Sequence, residues 1–518
     1  MAKSIILIGA LFFIAQIDGA KILAVLPTPS ISHQVVFRPL IHELARRGHE
    51  VTVVTPDPVF TKENSPKNLK EISVHDISYK SRSQRSAGRM ELGKKSSVFQ
   101  VTDQMTGFYK SIVELQLNAE EVQELLKSDR KFDLLFVEAC ARPSILWSHI
   151  FKAPLIQISS MGMSMGNDEA IGALTHPFLY PMSLRQRVFN LTFWEKLYEL
   201  YIHFWVLYRW QTSESTEHST MSKYFGEDVP TYKELYNNID MLFLNIHPLW
   251  TNNQPLPPNV VSIWGIHKNP EKPLPQDLQT YMDSSKNGVI YLSLGSNARS
   301  SMMPREKIEM IIDVFSRLPY NVLWKWEEDE LPGISKNIKI SKWYPQTDLL
   351  RHPNIKLFIT QGGLQSTDEA INSGVPLVGI PMFGDQWYNA EFYEHYKIGV
   401  QLDFETMTGD KLMEAINTVI NDNSYKENIK KLRNILNDQP QTALDRAVWW
   451  TEYVLRHGGA KHLRAANANM TRFEYYEGEF ILKLLMLTFS SLSILIILIN
   501  CGYKKLLQIL HTNKVKTS

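Results

Sequence analysis

Residues 355–389 read IKLFITQGGLQSTDEAINSGVPLVGIPMFGDQWYN. An apolar β-type run, Ile355 to Thr360, stops at Gln361-Gly362-Gly363, and a helical stretch carrying Glu369 follows. Gly374-Val375-Pro376 breaks that helix, a second apolar strand runs to Pro381, and a turn delivers Asp385-Gln386 and Asn389. Strand, glycine turn, helix and strand make one βαβ unit with its loops at the carboxyl ends of the strands. Backbone N–H groups at a helix N-terminus attract phosphate, and glycines let a ligand come close to the backbone.

The same grammar extends outward. GVIYLSLGS (288–296) is a buried strand ending in Gly295-Ser296; a helix near Arg305 to Leu318, the strand Val322 to Trp326 and Trp343-Tyr344-Pro345-Gln346 follow. Helices run to about residue 436, and another spans Leu444 to His457. At the other end, KILAVLP (21–27) is a buried strand, the loop Thr28 to Ser32 leads to His33, and a helix runs to Arg47 with Gly48 as its C-cap. Val51 to Thr55 is the next strand, and Phe132 to Val137 another, with Glu138 at its carboxyl end. The chain is therefore expected to be α/β, with two doubly wound domains. Residues 61–97 are polar and predict a surface excursion, while the aromatic and Met-rich 175–250 predict amphipathic helices packed on the sheet and dipping into the membrane face. The prolines of 251–275 predict a linker between a domain over 21–250 and one over 276–460.

At 518 residues the chain exceeds what one core supports. Its 55 Lys+Arg against 54 Asp+Glu give no global field to recruit nucleic acid. Cys140 and Cys501 are its only cysteines, which excludes a disulfide scaffold. Residues 1–20, with Lys3 ahead of an apolar core, predict a signal peptide. Residues 480–502 are apolar enough to span a bilayer, and Lys504-Lys505 put the tail, 503–518, in the cytosol. The body is then lumenal, where the sequons at Asn190 and Asn469 are usable. Lys514 and Lys516 resemble a dilysine retrieval signal for the endoplasmic reticulum.

The motifs SLGS (293–296), WYPQ (343–346), FITQGG (358–363), the GVP…P…DQ…N series and LDRAVWWTEYVLRHGGAKHLR (444–464) occur in order. Together they resemble the membrane-bound microsomal UDP-glycosyltransferases, the insect members in particular. That resemblance implies two facing Rossmann-like domains (a GT-B fold), with the helix near residue 450 crossing back to the first domain. It implies His33 as the base on the acceptor hydroxyl, a task suited to imidazole's near-neutral pKa. Glu138 matches the acid that orients this histidine, although the family usually carries Asp there.

On the donor side the resemblance implies Trp343 stacked on uracil, Gln346 near the ribose and Glu369 on the ribose hydroxyls. Ser296, Gly362 and Gly363 would hold the diphosphate, Asp385 and Gln386 the sugar, and Asn389 would anchor that loop. One departure is Gln361, which stands where the family has a histidine; its amide donates a hydrogen bond without positive charge. Relatives using UDP-glucuronic acid carry an arginine at a position matching Asn245, and a neutral residue there fits a neutral hexose such as glucose. No metal or other cofactor is expected, the UDP-sugar being a co-substrate.

The reading is an inverting glucosyltransferase acting on small lipophilic acceptors at the endoplasmic reticulum membrane, in detoxification or conjugation; a homo-oligomer is compatible with it. The alternatives are a glucuronosyltransferase and a catalytically silent, membrane-anchored binder of lipophilic ligands. A nucleotide-sugar dehydrogenase is excluded, because the first strand–helix turn lacks G-x-G-x-x-G.

Overall fold

A computed structural model describes residues 19–516 apart from 62, 87–92, 96 and 269. The expected signal peptide, 1–20, lies outside the described residues but for Gly19 and Ala20. The first sheet holds β1 (Lys21–Val25), β2 (Glu50–Thr55), β3 (Leu69–Ser73), β4 (Leu134–Glu138), β5 (Leu155–Ser159), β6 (Ile239–Leu244) and β7 (Val260–Ser262), in the order β3-β2-β1-β4-β5-β6-β7. The second holds β8 (Val289–Ser293), β9 (Asn321–Lys325), β10 (Ile338–Ser341), β11 (Ile355–Thr360), β12 (Leu377–Gly379) and β13 (Gly399–Gln401), in the order β10-β9-β8-β11-β12-β13.

Neighbouring strands are parallel throughout. This explains why the central strands read as unbroken apolar runs: helices cover both faces, and β4, β5, β6 and β8 are buried at every position. Strand order reverses between β1 and β4 and again between β8 and β11. Crevices open at the carboxyl ends of strands at such switch points. The loops after β1 and β4, and after β8 and β11, are therefore where ligands belong.

Two stretches differ from their sequence reading. The polar excursion of 61–97 contains β3 and the helix His75–Ser86; in LKEIS, Leu69 and Ile72 are buried on opposite faces of this edge strand, in different cores, while Lys70 and Ser73 are exposed. The proline-rich 251–275 is not only a linker, because β7 within it completes the first sheet against β6. The aromatic region is dominated by one long helix, Phe193–Phe225, opened by a Thr192/Glu195 capping box.

The helix Ala443–His457 returns to the first domain, packing Ala447, Val448 and Val454 into a core with Phe37 and Leu40. Its exit is fastened by Asp240, which is buried at the start of β6 and accepts from Ala460 N at 2.8 Å and from Leu155 N at 2.9 Å. Gly478–Lys516 then forms a continuous helix whose Gly478–Ile509 portion is long and apolar enough to cross a membrane. The expected 480–502 span lies inside it.

Replacing Asp240 with Ala strands two buried amide donors, at about 1–3 kcal/mol each. The Asp240→Ala protein is expected to unfold at a clearly lower temperature, measured by thermal scanning in detergent.

Candidate active site

His33 lies in the first turn of the helix Ile31–Arg46, which starts earlier than the sequence indicated. Its Nδ1 is 2.6 Å from Glu138 Oε1, and Ser160 Oγ is 3.0 Å from the same nitrogen. Glu138 is fully buried. Its second oxygen accepts from Thr28 N at 3.0 Å, and the Cys140 thiol donates to Oε1 at 3.3 Å. Burial raises the Glu138 pKa, but hydrogen bonds and charge from His33, with Thr28, outweigh it and leave the carboxyl below its ordinary value. A carboxylate accepting at Nδ1 fixes the tautomer that leaves Nε2 as an acceptor. His33, Glu138 and Cys140 bring ligand-type atoms within 4.8 Å of one another. Burial pushes the Cys140 thiol far up, however, so it stays a protonated donor to Glu138.

Across the cleft, Gly362 (φ +86°) turns the chain after β11 and Gly363 starts the helix Leu364–Ser373, whose N-terminus no side chain caps. Gly295 has φ +76°, and a Cβ there would fall 2.2 Å from Gln361 Nε2. Gln361 thus lies against the loop after β8, where Ser296 is exposed. Gln346 opens the helix Gln346–Arg351, and its Nε2 donates to Glu369 Oε2 at 2.7 Å; Thr347 Oγ1 donates to Oε1 at 2.7 Å. Burial raises the Glu369 carboxyl against these bonds. Trp343 is 62% exposed, an open aromatic face beside this cluster.

The loop after β12 is tied from within. Gln386 Oε1 accepts from Met382 N and Phe383 N at 2.9 and 3.0 Å. Asn389 is 2% exposed: its Nδ2 donates to Gly362 O and Asp385 Oδ2, and its Oδ1 accepts from Trp250 Nε1. Asn389 therefore ties the loops together, with both amide hydrogens taken. Asp385 borders a cavity of about 240 Å³ that His33 also lines. Met105, Met161, Met163, Met165 and Met182 make much of its wall, with Val206, Leu207, Trp210 and Tyr388.

Asn245 requires a correction. It is fully buried at the end of β6, donates to Ser160 O at 3.2 Å and accepts from Gly265 N at 3.2 Å. It does not line the cavity, so its neutrality carries no argument about the donor sugar.

The family model described as UDP-glucoronosyl and UDP-glucosyl transferase matches residues 20–513. The chain belongs to this family. It is a UDP-glycosyltransferase with a GT-B fold. An ecdysteroid UDP-glucosyltransferase of Spodoptera littoralis nuclear polyhedrosis virus is 35% identical over 506 residues, covering 94% of this chain and 98% of that protein. UDP-glucosyltransferase 2 of Dactylopius coccus is 34% identical, covering 91% of each. A human UDP-glucuronosyltransferase, 2B10, is 32% identical, covering 84% and 85%. Among solved structures, a Polygonum tinctorium UDP-glucosyltransferase capable of glucosylating indoxyl superposes with a TM-score of 0.56 at 14% identity, over 84% of this chain and 98% of that one.

Several residues of this UDP-glycosyltransferase escaped the sequence reading. Thr28 and Cys140 hold Glu138, and Ser160 touches His33 while its carbonyl accepts from Gln365 Nε2 of the second domain at 3.0 Å. Lys325, at the end of β9, donates to Gly295 O at 3.1 Å and pairs with Glu327 at 3.0 Å. None belongs to a motif; only the position of each at a strand end hinted at a role.

Because the Glu138 pKa is depressed, its stabilisation is present above the ordinary value of 4.5 and is lost as pH falls through the lower folded value. Glu138→Gln removes that dependence and the pull on Nδ1. It is expected to flatten the acid limb of stability and to lower kcat by roughly 10²-fold or more, checked by pH-dependent unfolding and steady-state assays.

Proposed function

We propose that this enzyme transfers glucose from UDP-glucose, with inversion, onto a hydroxyl of a small lipophilic acceptor held in the methionine-lined cavity. The observation that carries the reading is the His33–Glu138 pair at 2.6 Å beside a cavity that Asp385 of the second domain also borders. In the proposed step the acceptor hydroxyl gives its proton to His33 Nε2 as its oxygen bonds the anomeric carbon. The bond from that carbon to the diphosphate oxygen breaks, and UDP leaves with the electron pair. Glu138 stabilises the imidazolium that forms. The uncapped N-terminus of Leu364–Ser373, with Gln361 and Ser296, meets the leaving diphosphate, while Trp343 and Glu369 hold uracil and ribose. Asp385 and the amide nitrogen of Gln386 meet the sugar hydroxyls. The reading calls for no metal ion.

Glucose is favoured by the names of the viral and Dactylopius relatives, and the viral names make a steroid polyol a sensible first acceptor. Methionines suit varied apolar ligands, since their side chains are unbranched and polarisable. The Gly478–Ile509 helix would anchor the protein in the endoplasmic reticulum membrane, body lumenal and tail cytosolic, with Lys514 and Lys516 for retrieval.

Microsomes bearing the wild type are expected to form a glucoside from UDP-glucose with at least one of a steroid polyol, a phenol or a flavonoid, and His33→Ala to lose about 10²–10⁴-fold of that rate. Glucuronide as the main product would overturn the donor assignment; UDP binding without product would favour a silent binder. The two sequons are expected to differ. Asn190 is exposed, whereas Asn469 is 8% exposed and its Nδ2 donates to Lys233 O and Asn237 Oδ1. Asn190→Gln should abolish the endoglycosidase-sensitive gel shift, and Asn469→Gln should leave it.

A further inference from the structure

Among the described residues, three carboxylates line the acceptor cavity: Asp168, Glu217 and Asp385. Two are already engaged. Asp385 accepts from Asn389 Nδ2 at 3.0 Å and feels the charge of His33, and on the proposed reading it meets the sugar. Glu217 is locked to Arg142 by two bonds of 2.8 Å, with both side chains buried. Asp168 differs, because no described side chain donates to it or pairs with it. Burial raises its pKa, and the backbone amides of its own turn and the charge of Arg472 only partly offset this. A carboxylate held away from water without side-chain donors is costly, and a ligand that brings a donor recovers part of that cost.

The position of Asp168 along the wall is set by one loop. Ser160 touches His33 near the start of this loop, Met161, Met163 and Met165 then line the cavity, and Asp168 follows in the first turn of the helix Asn167–Ile171. The turn ahead of it is held in place: a Cβ at Gly166 (φ +80°) would fall 2.2 Å from Trp210 Nε1, so the indole packs directly on the backbone. Two further polar side chains of the wall, Thr175 and His203, are gathered by Arg472, whose Nη2 lies 2.8 Å from Thr175 Oγ1 and 2.9 Å from His203 Nε2. Burial and the charge of Arg472 hold the His203 pKa down at about 4, so its ring is neutral. The cavity thus has a second polar group, separate from the His33–Glu138 pair and divided from it by methionines. A few fixed polar groups in an apolar cavity orient the ligand and set its specificity.

We propose that Asp168 is a specificity-determining anchor for a second hydroxyl of the acceptor, one that is not the hydroxyl being glucosylated. The preferred substrate is then a rigid lipophilic diol or polyol. One hydroxyl donates to His33 Nε2, the apolar body lies along the methionines, and the remote hydroxyl donates to the Asp168 carboxylate. A mono-alcohol of the same skeleton leaves that carboxylate without a donor, and a site built around such a bond discriminates more strongly than an apolar pocket does. The inference rests on the glucosyltransferase reading of the cavity, and the test separates the two.

Microsomes bearing the full chain are given UDP-glucose with matched pairs of acceptors. Each pair is a steroid, a flavone or a biphenyl carrying either one hydroxyl or a second at the opposite end. The ratio of kcat/KM within a pair does not depend on expression level. The wild type is expected to favour the dihydroxy member of a pair it turns over by roughly 10–100-fold, the range for a hydrogen bond to a charged group. Asp168→Ala is expected to bring the ratio close to one, through a loss confined mainly to the dihydroxy member. Asp168→Asn keeps the shape and an accepting oxygen but not the charge, and is expected to give an intermediate ratio. A wild-type ratio near one overturns the inference and leaves the glucosyltransferase reading intact. So does a ratio that neither variant moves, even where both variants slow both members equally, because that is the mark of a structural role. No glucoside from any pair overturns the glucosyltransferase reading and this inference with it.

Discussion

A carboxylate taken out of water costs several kcal/mol unless donors and positive charge meet it. Glu138, sealed at the end of β4, imposes that demand on everything around it. Thr28 N answers one oxygen, and that bond fixes the chain just after β1. His33 and the Cys140 thiol answer the other. The imidazole is thereby held with Nδ1 turned into the protein and Nε2 away from it. The switch point between β1 and β4 brings the two loops together, and the buried charge decides how they are arranged. Glutamate, longer than the family's usual aspartate, closes the contact at 2.6 Å from a strand end that lies wholly inside the sheet.

The second sheet meets this arrangement through polar ties. Ser160 touches His33 with its hydroxyl, while its carbonyl accepts from Asn245 of its own domain and Gln365 of the other. Trp250 reaches across to Asn389, and Trp264 Nε1 donates to Asp368 Oδ1 at 2.8 Å. Asp368 is buried and its carboxyl is pushed up to about 7, chiefly by burial. Residues that look like ligand-binding polar groups in the sequence are, in Asn389 and Asn245, the fasteners of the cleft. A cleft fastened by its own side chains is preorganised, and less ordering remains to be done when substrates bind.

Legibility in the sequence followed burial. Central strands such as LLFVE and VIYLS were plain because a parallel sheet covered on both faces demands near-continuous apolar runs. The edge strand LKEIS was not, since only Leu69 and Ile72 of its five residues are buried, one on each face, and its composition looks like loop. β7 is three residues among prolines, and its pairing with β6 depends on register that no local pattern shows. The glycine turns marked the donor loops, because positive φ at Gly295 and Gly362 leaves a signature in residue type. Asn245 and Asn469 were hard to read for a common reason: whether a polar side chain is free depends on segments distant in sequence. For Asn469 these are Lys233 and Asn237, and for Asn245 they are Ser160 and Gly265.

The most conspicuous departure from the family pattern, Gln361, makes sense beside its neighbour. A Cβ on Gly295 would overlap the Gln361 amide, so that pair is a close packing of backbone on side chain. An imidazolium there would bring charge; the amide brings a neutral donor at 6% exposure. Charge is present one strand over, where Lys325 donates to Gly295 O, but Glu327 neutralises it. On the proposed reading, a leaving diphosphate would meet mainly dipoles: the uncapped helix start after Gly363 and the amide of Gln361. Dipoles fixed in advance need no reorganisation as charge develops, and they act strongly where water is excluded. A diphosphate held this way would depend on the exact placement of the two glycine turns, whose positive φ marks them in the sequence.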